Sequence, residues 1–267
     1  MAEPLISVIT CTKNSERFLK YSLESVENQT YRNIEHVFID GFSTDKTLKI
    51  LNTYIKKNKN IKTKLVKSEP RGIANALNIG FENSTGDIIH YLHSDDFYCD
   101  KNSLKRVVQY FSKHPKKEWL TGDALLMYKE KIIEVPLSKF QKKFLKKIIT
   151  FYNFISHENT FVKRKFLKKY GPFNEKNRVT VEYGIWLKAF KETEPLVVND
   201  KFTVYIIHRN SASSHPFGFI RGNIEQIKTW GEVKRIPILG YYEDSEIYKN
   251  YNRVKSYLRK LSENGLN

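Results

Sequence analysis

Residues 91–97 read Tyr-Leu-His-Ser-Asp-Asp-Phe, and the adjacent carboxylates of Asp95 and Asp96 are the groups in this chain best suited to chemistry. They follow Ile88-Ile89-His90-Tyr91-Leu92, a short apolar run that reads as a strand. In an open α/β sheet the ends of the strands line the binding crevice. Two carboxylates side by side repel each other unless something positive sits between them. A hard divalent cation carrying a diphosphate meets that need. The competing reading is a polar turn, in which Asp is common, and the pair alone leaves both open.

The elements around the pair suggest what positions it. Residues 5–11 form a β-branched run that reads as a buried strand, and residues 12–16 form a polar loop in which Asn14 or Ser15 can cap a following helix. Phe18, Leu19, Leu23 and Val26 give that helix one apolar face. Residues 34–40 read as a second strand ending in Asp40, and Leu48, Leu51, Tyr54 and Ile55 mark the next buried stripe. A weaker strand at 63–67 and a short helix around Ile73, Leu77 and Phe81 lead to the strand that ends at the Asp pair. Strands alternating with helices imply a mostly parallel sheet, so the first hundred residues or so resemble a nucleotide-binding half of a doubly wound fold. Neither a G-x-G-x-x-G fingerprint nor a Walker loop is present, so a nucleotide must be held by another device. Asp40 at a strand end could accept from a base N–H or a ribose hydroxyl. Arg71 could reach phosphate or base.

Beyond residue 100 the pattern predicts a helix over 101–113, two strands within 120–135, and a basic, apolar helix over 139–152. A strand at 157–162, helices at 163–170 and 181–190, and a strand region at 196–207 follow. The tail from Phe219 reads as helices broken near Pro237 and Gly240.

Composition narrows the class. The 267 residues are 40% hydrophobic and 28% charged, enough for a sizeable core and too polar for a membrane-embedded chain. No run of 18 apolar residues and no signal-peptide pattern at the start is visible, and two cysteines make neither a disulfide framework nor a zinc cluster. A reducing, cytoplasmic setting is expected. The net charge of +17 and pI of about 9.6 come mainly from scattered lysines. This favours a solvated surface first, attraction to an anionic membrane second and nucleic acid third.

The motifs, taken in order, carry a resemblance. Ile6-Ser7-Val8-Ile9-Thr10-Cys11-Thr12-Lys13-Asn14, then Ser25-Val26-Glu27-Asn28-Gln29-Thr30-Tyr31, then Ile39-Asp40-Gly41-Phe42-Ser43-Thr44-Asp45 are similar to successive signatures of the inverting family-2 glycosyltransferases of the GT-A fold. Gly72-Ile73-Ala74-Asn75-Ala76-Leu77-Asn78, Thr85-Gly86-Asp87-Ile88-Ile89 and Ser94-Asp95-Asp96 keep that family's order. So do His157-Glu158-Asn159-Thr160-Phe161 and Lys169-Tyr170-Gly171-Pro172-Phe173-Asn174-Glu175 on the acceptor side. The resemblance spans roughly residues 5–210.

The resemblance implies a nucleoside-diphosphate-sugar donor, a UDP-sugar first among them, and Mn2+ or Mg2+. It places Thr10, Thr12, Asn14, Asp40, Arg71, Asn75 and Asp95 on the donor side. Asp95 and Asp96 match the metal-binding acidic motif, with His208 as a late histidine that could complete the shell; a loop histidine is the other reading. His93 stands at the first acidic position of that motif, so either one ligand is lost there or His93 contributes a nitrogen that favours Mn2+ over Mg2+. Glu182 in Val181-Glu182-Tyr183-Gly184-Ile185-Trp186 falls on the general-base position, where Asp is usual. Gly184 and Asn75 also replace residues that are often acidic. His157 matches an acceptor-side position and could equally be a packed residue.

The chain is thus expected to hold a GT-A catalytic domain over 1–215, with a nucleotide-sugar half at 1–100 and an acceptor half at 101–215. A helical C-terminal extension is expected over 216–267. The expected activity is inverting transfer to a glycan or lipid-linked glycan acceptor in surface polysaccharide or glycolipid biosynthesis, at the inner face of a membrane and without nucleic acid. The lysine-rich segment 138–149 could lie on lipid headgroups as a short amphipathic helix, or equally be an ordinary half-buried helix. The alternative is a catalytically inactive sugar-nucleotide or glycan-binding protein on the same fold.

Overall fold

The structure is a computed structural model, and it describes residues 3–128, 131–149 and 153–208, together with Thr229. The expected extension over 216–267 lies outside the described residues apart from Thr229. Runs of β-branched and aromatic residues become strands, and the amphipathic stretches between them become helices. In order these are β1 (Ile6–Thr12), α1 (Leu19–Glu27), β2 (Ile34–Asp40), α2 (Thr47–Lys57), β3 (Lys62–Lys67), α3 (Ile73–Glu82) and β4 (Ile88–Tyr91). Then come β5 (Phe97–Tyr98), α4 (Ser103–Lys113), β6 (Trp119–Thr121), β7 (Ala124–Tyr128), β8 (Lys131–Val135), α5 (Lys139–Lys143) and α6 (Leu145–Ile148). The described part closes with β9 (Thr160–Lys163), α7 (Arg164–Tyr170), α8 (Tyr183–Ala189), β10 (Leu196–Val197) and β11 (Thr203–Ile206).

Seven strands form the central sheet in the order β10-β6-β9-β4-β1-β2-β3. All neighbours run parallel except β9, which is antiparallel to both β4 and β6. The inner strands of the sheet are buried on both faces, and their side chains divide with a period of two. Ile9, Val37, Ile39, Ile89, Trp119 and Val162 face one layer with α3, α7 and α8. Ile6, Val8, Ile34, Phe38, Ile88, Leu120 and Phe161 face the other with α1, α2 and α4. Each fully buried aliphatic chain contributes roughly 1.5–3 kcal/mol. A smaller sheet, β5-β11-β7-β8, stands beside the first.

Polar groups inside the sheet fix its loops. Glu35 is buried and accepts from the Ser7 hydroxyl (2.6 Å), the Gly86 amide (3.0 Å), the Thr85 hydroxyl (2.8 Å) and the Thr85 amide. Burial works against its charge, but these donors outweigh it and hold the carboxyl below its ordinary range. Gly86 allows the close approach, since a β-carbon there would lie 2.6 Å from the Ser7 nitrogen and 2.8 Å from the Leu5 carbonyl oxygen.

His36 and His90 are buried without charge. His36 lies between the Thr10 hydroxyl (3.0 Å) and the Tyr54 hydroxyl (3.2 Å), and His90 between Tyr98 (2.8 Å) and the Glu158 carbonyl (2.9 Å). Burial pushes both pKa values down to about 3. Unfolded histidine takes up its proton near pH 6.5, so between 6.5 and 3 the unfolded chain binds more protons and stability falls with pH. Each histidine is expected to remove about 1.4 kcal/mol per pH unit below 6.5. Urea melts at pH 7 and 5.5 check this, and superimposable curves would refute it.

Three local expectations change. The predicted helix over 139–152 divides at Phe144, whose backbone (φ −115°, ψ 27°) leaves the helical region. α6 turns Leu145 and Ile148 into the core and leaves Lys146 and Lys147 exposed, so its apolar face is already spent on packing. Residues 157–159 form a turn before β9 rather than its first residues, and α8 begins at Tyr183, with Glu182 as its N-cap residue.

Candidate active site

β1, β2 and β4 run parallel and end side by side, and the loops leaving them are tied together. Thr12 Oγ1 donates to Asp40 Oδ1 (2.9 Å), as does Ser43 Oγ (2.6 Å), while the Ser43 amide donates to Asp40 Oδ2 (2.9 Å). The Asn14 amide donates to Ser43 Oγ (2.9 Å), and Asn14 Oδ1 accepts from the Thr44 amide (2.8 Å). Asn14 has a left-handed backbone (φ 51°), a conformation in which Asn is tolerated. Thr12, Asn14 and Asp40 therefore form one connected network, with Asp40 fully buried as its hub. Thr10 belongs elsewhere, since its hydroxyl meets His36 beneath the sheet.

β4 delivers the carboxylate pair, and the two point to different neighbours. Asp95 faces a cleft of about 220 Å³ lined by Lys13, Asn14, Arg17, Phe18, Ser94 and His208. Its Oδ2 lies 2.8 Å from His208 Nε2. Burial opposes the charge of Asp95, but the His208 bond and nearby His93 outweigh it and keep the carboxyl low. The His208 ring leans on Phe18 (4.8 Å between centroids), and the Arg17 guanidinium lies 4.8 Å from the centre of the Phe18 ring.

Asp96 is fully buried. Its Oδ1 accepts a long bond from the Ile206 amide (3.4 Å), and its Oδ2 has no partner among the described residues. Burial pushes its pKa well above the ordinary carboxylate range, and the neighbouring Asp95 and Glu158 charges add to the shift. His93, Asp96 and Glu158 each bring one ligand atom to a common point, the three atoms within 4.8 Å of one another. An orphaned buried carboxylate oxygen facing a carboxylate and an imidazole is a donor set that suits a divalent cation. The sequence pattern does not single out Glu158 as a ligand. It arrives from the turn before β9, and the antiparallel pairing of β9 with β4 brings that turn alongside.

The remaining candidates lie around this centre. His157 is buried among Tyr91, His93, Phe173 and Trp186, with neither ring nitrogen hydrogen-bonded among the described residues. Burial first, then His93 and His90, hold its pKa well below the ordinary value. Asn75 donates to Glu175 Oε1 (3.0 Å), and the exposed Arg71 offers its carbonyl to the Arg178 guanidinium. Glu182 accepts from Asn153 Nδ2 (2.7 Å) and is in neither the Asp95 cleft nor the Asp96 cluster.

The chain is similar in sequence and in fold to known proteins. The profile of "Glycosyl transferase family 2" covers residues 7–171, more than half of the chain. A "PGL/p-HBAD biosynthesis glycosyltransferase" of Mycobacterium tuberculosis is 26% identical over 240 residues, covering 89% of this chain and 86% of the relative. An uncharacterized glycosyltransferase of Haemophilus influenzae is 41% identical over 107 residues, 40% of this chain and 42% of that protein. Among solved structures, S. aureus TarS 1-349 in complex with UDP-GlcNAc superposes with a TM-score of 0.66 at 19% identity, over 86% of this chain and 71% of that one. The mannosyltransferase PcManGT from Pyrobaculum calidifontis, in complex with GDP-Man and Mn2+, gives 0.64 at 17% identity over 97% and 86%. The fold is that of the GT-A enzymes, and the chain belongs to glycosyl transferase family 2.

Proposed function

We propose that this glycosyltransferase is inverting and metal-dependent, and that it moves a sugar from a nucleoside-diphosphate-sugar to a glycan or lipid-linked glycan acceptor. The observation that carries the reading is the buried Asp96 carboxylate oxygen, without a partner among the described residues, beside Glu158 and His93 after the carboxyl end of β4. His93, Asp96 and Glu158 are the residues that would hold Mn2+ or Mg2+, with the Asp95–His208 pair beside them. Bound there, the ion would offset the charge of the departing diphosphate.

The chain's own residues do the rest. The Thr12–Asn14–Asp40–Ser43 network holds the donor loops in one conformation. Glu182, oriented by Asn153, takes the proton of the acceptor hydroxyl as that oxygen attacks the anomeric carbon from the face opposite the diphosphate. Single displacement inverts the configuration and needs no covalent nucleophile. A UDP- or GDP-sugar donor is supported by the ligands of the similar structures, UDP-GlcNAc and GDP-Man, and a biosynthetic role by the mycobacterial relatives, which are PGL/p-HBAD biosynthesis glycosyltransferases. The lysines of α5 and α6 suit electrostatic attachment to an anionic membrane bearing such an acceptor. No helix among the described residues is long and apolar enough to cross a membrane.

The test is nucleotide release from UDP-, GDP- and dTDP-sugars with Mn2+ or Mg2+, paired with calorimetric binding of the same donors. Metal-dependent release from one donor supports the reading and names the nucleotide. Tight binding with no turnover, with or without lipid-linked glycan acceptors, would favour a sugar-nucleotide-binding protein. Absence of any metal-linked binding would refute both.

A further inference from the structure

Among the described residues the exposed large apolar side chains are Tyr21, Phe42, Ile132 and Val135, and of these only Phe42 also has a left-handed backbone. It is 50% exposed with φ at 56°. That region crowds a β-carbon against the following carbonyl, and glycine would occupy it freely. Residue 42 therefore pays twice, in backbone strain and in apolar surface left in water, and core packing gives nothing back. Strain of this kind persists only where the surroundings over-determine it, and it collects at binding sites.

The surroundings of Phe42 do over-determine it. On one side Gly41 donates its amide to the Thr12 carbonyl (2.8 Å). On the other, Ser43 is held by both oxygens of Asp40. A second row of bonds locks the facing loop in place: Ser15 amide to Thr47 Oγ1 (2.7 Å), Glu16 amide to Asp45 Oδ2 (3.1 Å) and Lys46 amide to Glu16 Oε2 (2.9 Å). A β-carbon on Gly41 would be 3.4 Å from Pro70 Cβ and 3.5 Å from Lys13 Cβ, so the loops leaving β1 and β3 flank this one closely. Phe42 thus stands at the carboxyl ends of β1, β2 and β3, where a sheet of this kind receives a nucleotide. Asp40, fully buried and engaged by Thr12 and Ser43, acts as the brace of this loop.

We infer that the exposed ring of Phe42 is the stacking platform for the nucleobase of the donor, held in place by the Asp40 brace. The inference rests on the nucleotide-sugar reading above and deepens it. A neutral, flat π-face is suited to the aromatic heterocycle and has nothing to offer the diphosphate. Stacking tolerates any base, so Phe42 supplies affinity, and the choice among bases falls to polar groups.

Calorimetric titration of UDP and GDP with Mn2+, together with thermal melts, tests this on the wild type, Phe42→Gly and Phe42→Trp. Inorganic pyrophosphate with Mn2+ serves as the probe that lacks a base. Phe42→Gly is expected to bind the nucleotide roughly 5- to 100-fold more weakly, to bind pyrophosphate as the wild type does, and to melt at the same or a higher temperature because the strain is gone. Phe42→Trp is expected to keep nucleotide affinity. A residue that only shapes the fold would not lower nucleotide binding while raising stability. Nucleotide affinity within twofold of wild type in Phe42→Gly overturns the inference and leaves the donor reading standing, as does an equal loss of pyrophosphate binding. A wild type that binds no nucleotide overturns both.

Discussion

Replacing Asp96 with Asn is expected to lower kcat/KM by at least about 100-fold while leaving the metal-free protein as stable as before, or more so. The substitution keeps the shape and the oxygen that accepts the Ile206 amide. It replaces a carboxyl whose ionised form burial, Asp95 and Glu158 all oppose. Relieving such a site is worth roughly 1 kcal/mol when nothing else compensates it. The same change deletes a ligand from the His93–Asp96–Glu158 set. Thermal melts with and without Mn2+ separate the two effects. The wild type should gain melting temperature on adding the ion, and the variant should not. A variant that is less stable without metal, yet still responds to it, would mean that Asp96 is a structural carboxyl and that the ion is held elsewhere.

Glu182→Gln should leave donor binding intact and cut kcat by roughly 100- to 10,000-fold, the usual contribution of a general base. The amide keeps an oxygen to accept from Asn153 Nδ2, so the start of α8 stays in place. It cannot take a proton. Slow donor hydrolysis by water, measured without acceptor, should fall along with transfer if Glu182 serves both nucleophiles. Unchanged turnover would move the base to another carboxylate and leave Glu182 as the residue that positions the 153 segment against α8.

The parallel half of the fold is legible because its strands are continuous β-branched runs, buried on both faces, and its helices carry clean apolar stripes. Residues 6–12, 34–40 and 88–91 could hardly be anything else. The pair at 95 and 96 is legible for the same reason, as a polar break directly after such a run. What escapes is whatever depends on contacts between distant segments. Glu158 joins Asp96 only because β9 enters the sheet antiparallel to β4, and no local pattern announces that reversal. The 157–162 run has strand composition throughout, yet the Thr160 amide bonds back to the His157 carbonyl (3.1 Å) and closes a turn first. The break at Phe144 is equally invisible, since lysines and apolar residues continue across it with helical spacing. Phe42 defeats composition outright, because no propensity places a phenylalanine in a left-handed turn. The hydrogen bonds from the loop after β1 and from Asp40 dictate it.

β11 deserves to be read as a ruler. Its residue Ile206 is bonded to Asp96, and two residues later His208 is bonded to Asp95. Asn159, beside Glu158, clasps the start of the same strand, its Oδ1 accepting from the amides of Phe202 (2.9 Å) and Thr203 (3.0 Å). Three of the groups that matter are thus pegged along one short segment, β11 and the two residues that follow it, with a rise of about 3.3 Å per residue inside the strand. Their spacing is quantised. Side-chain substitutions can tune what each peg offers, but only an inserted or deleted residue between 203 and 208 can alter the gauge. Within this lineage the segment should tolerate changes of side chain far better than changes of length.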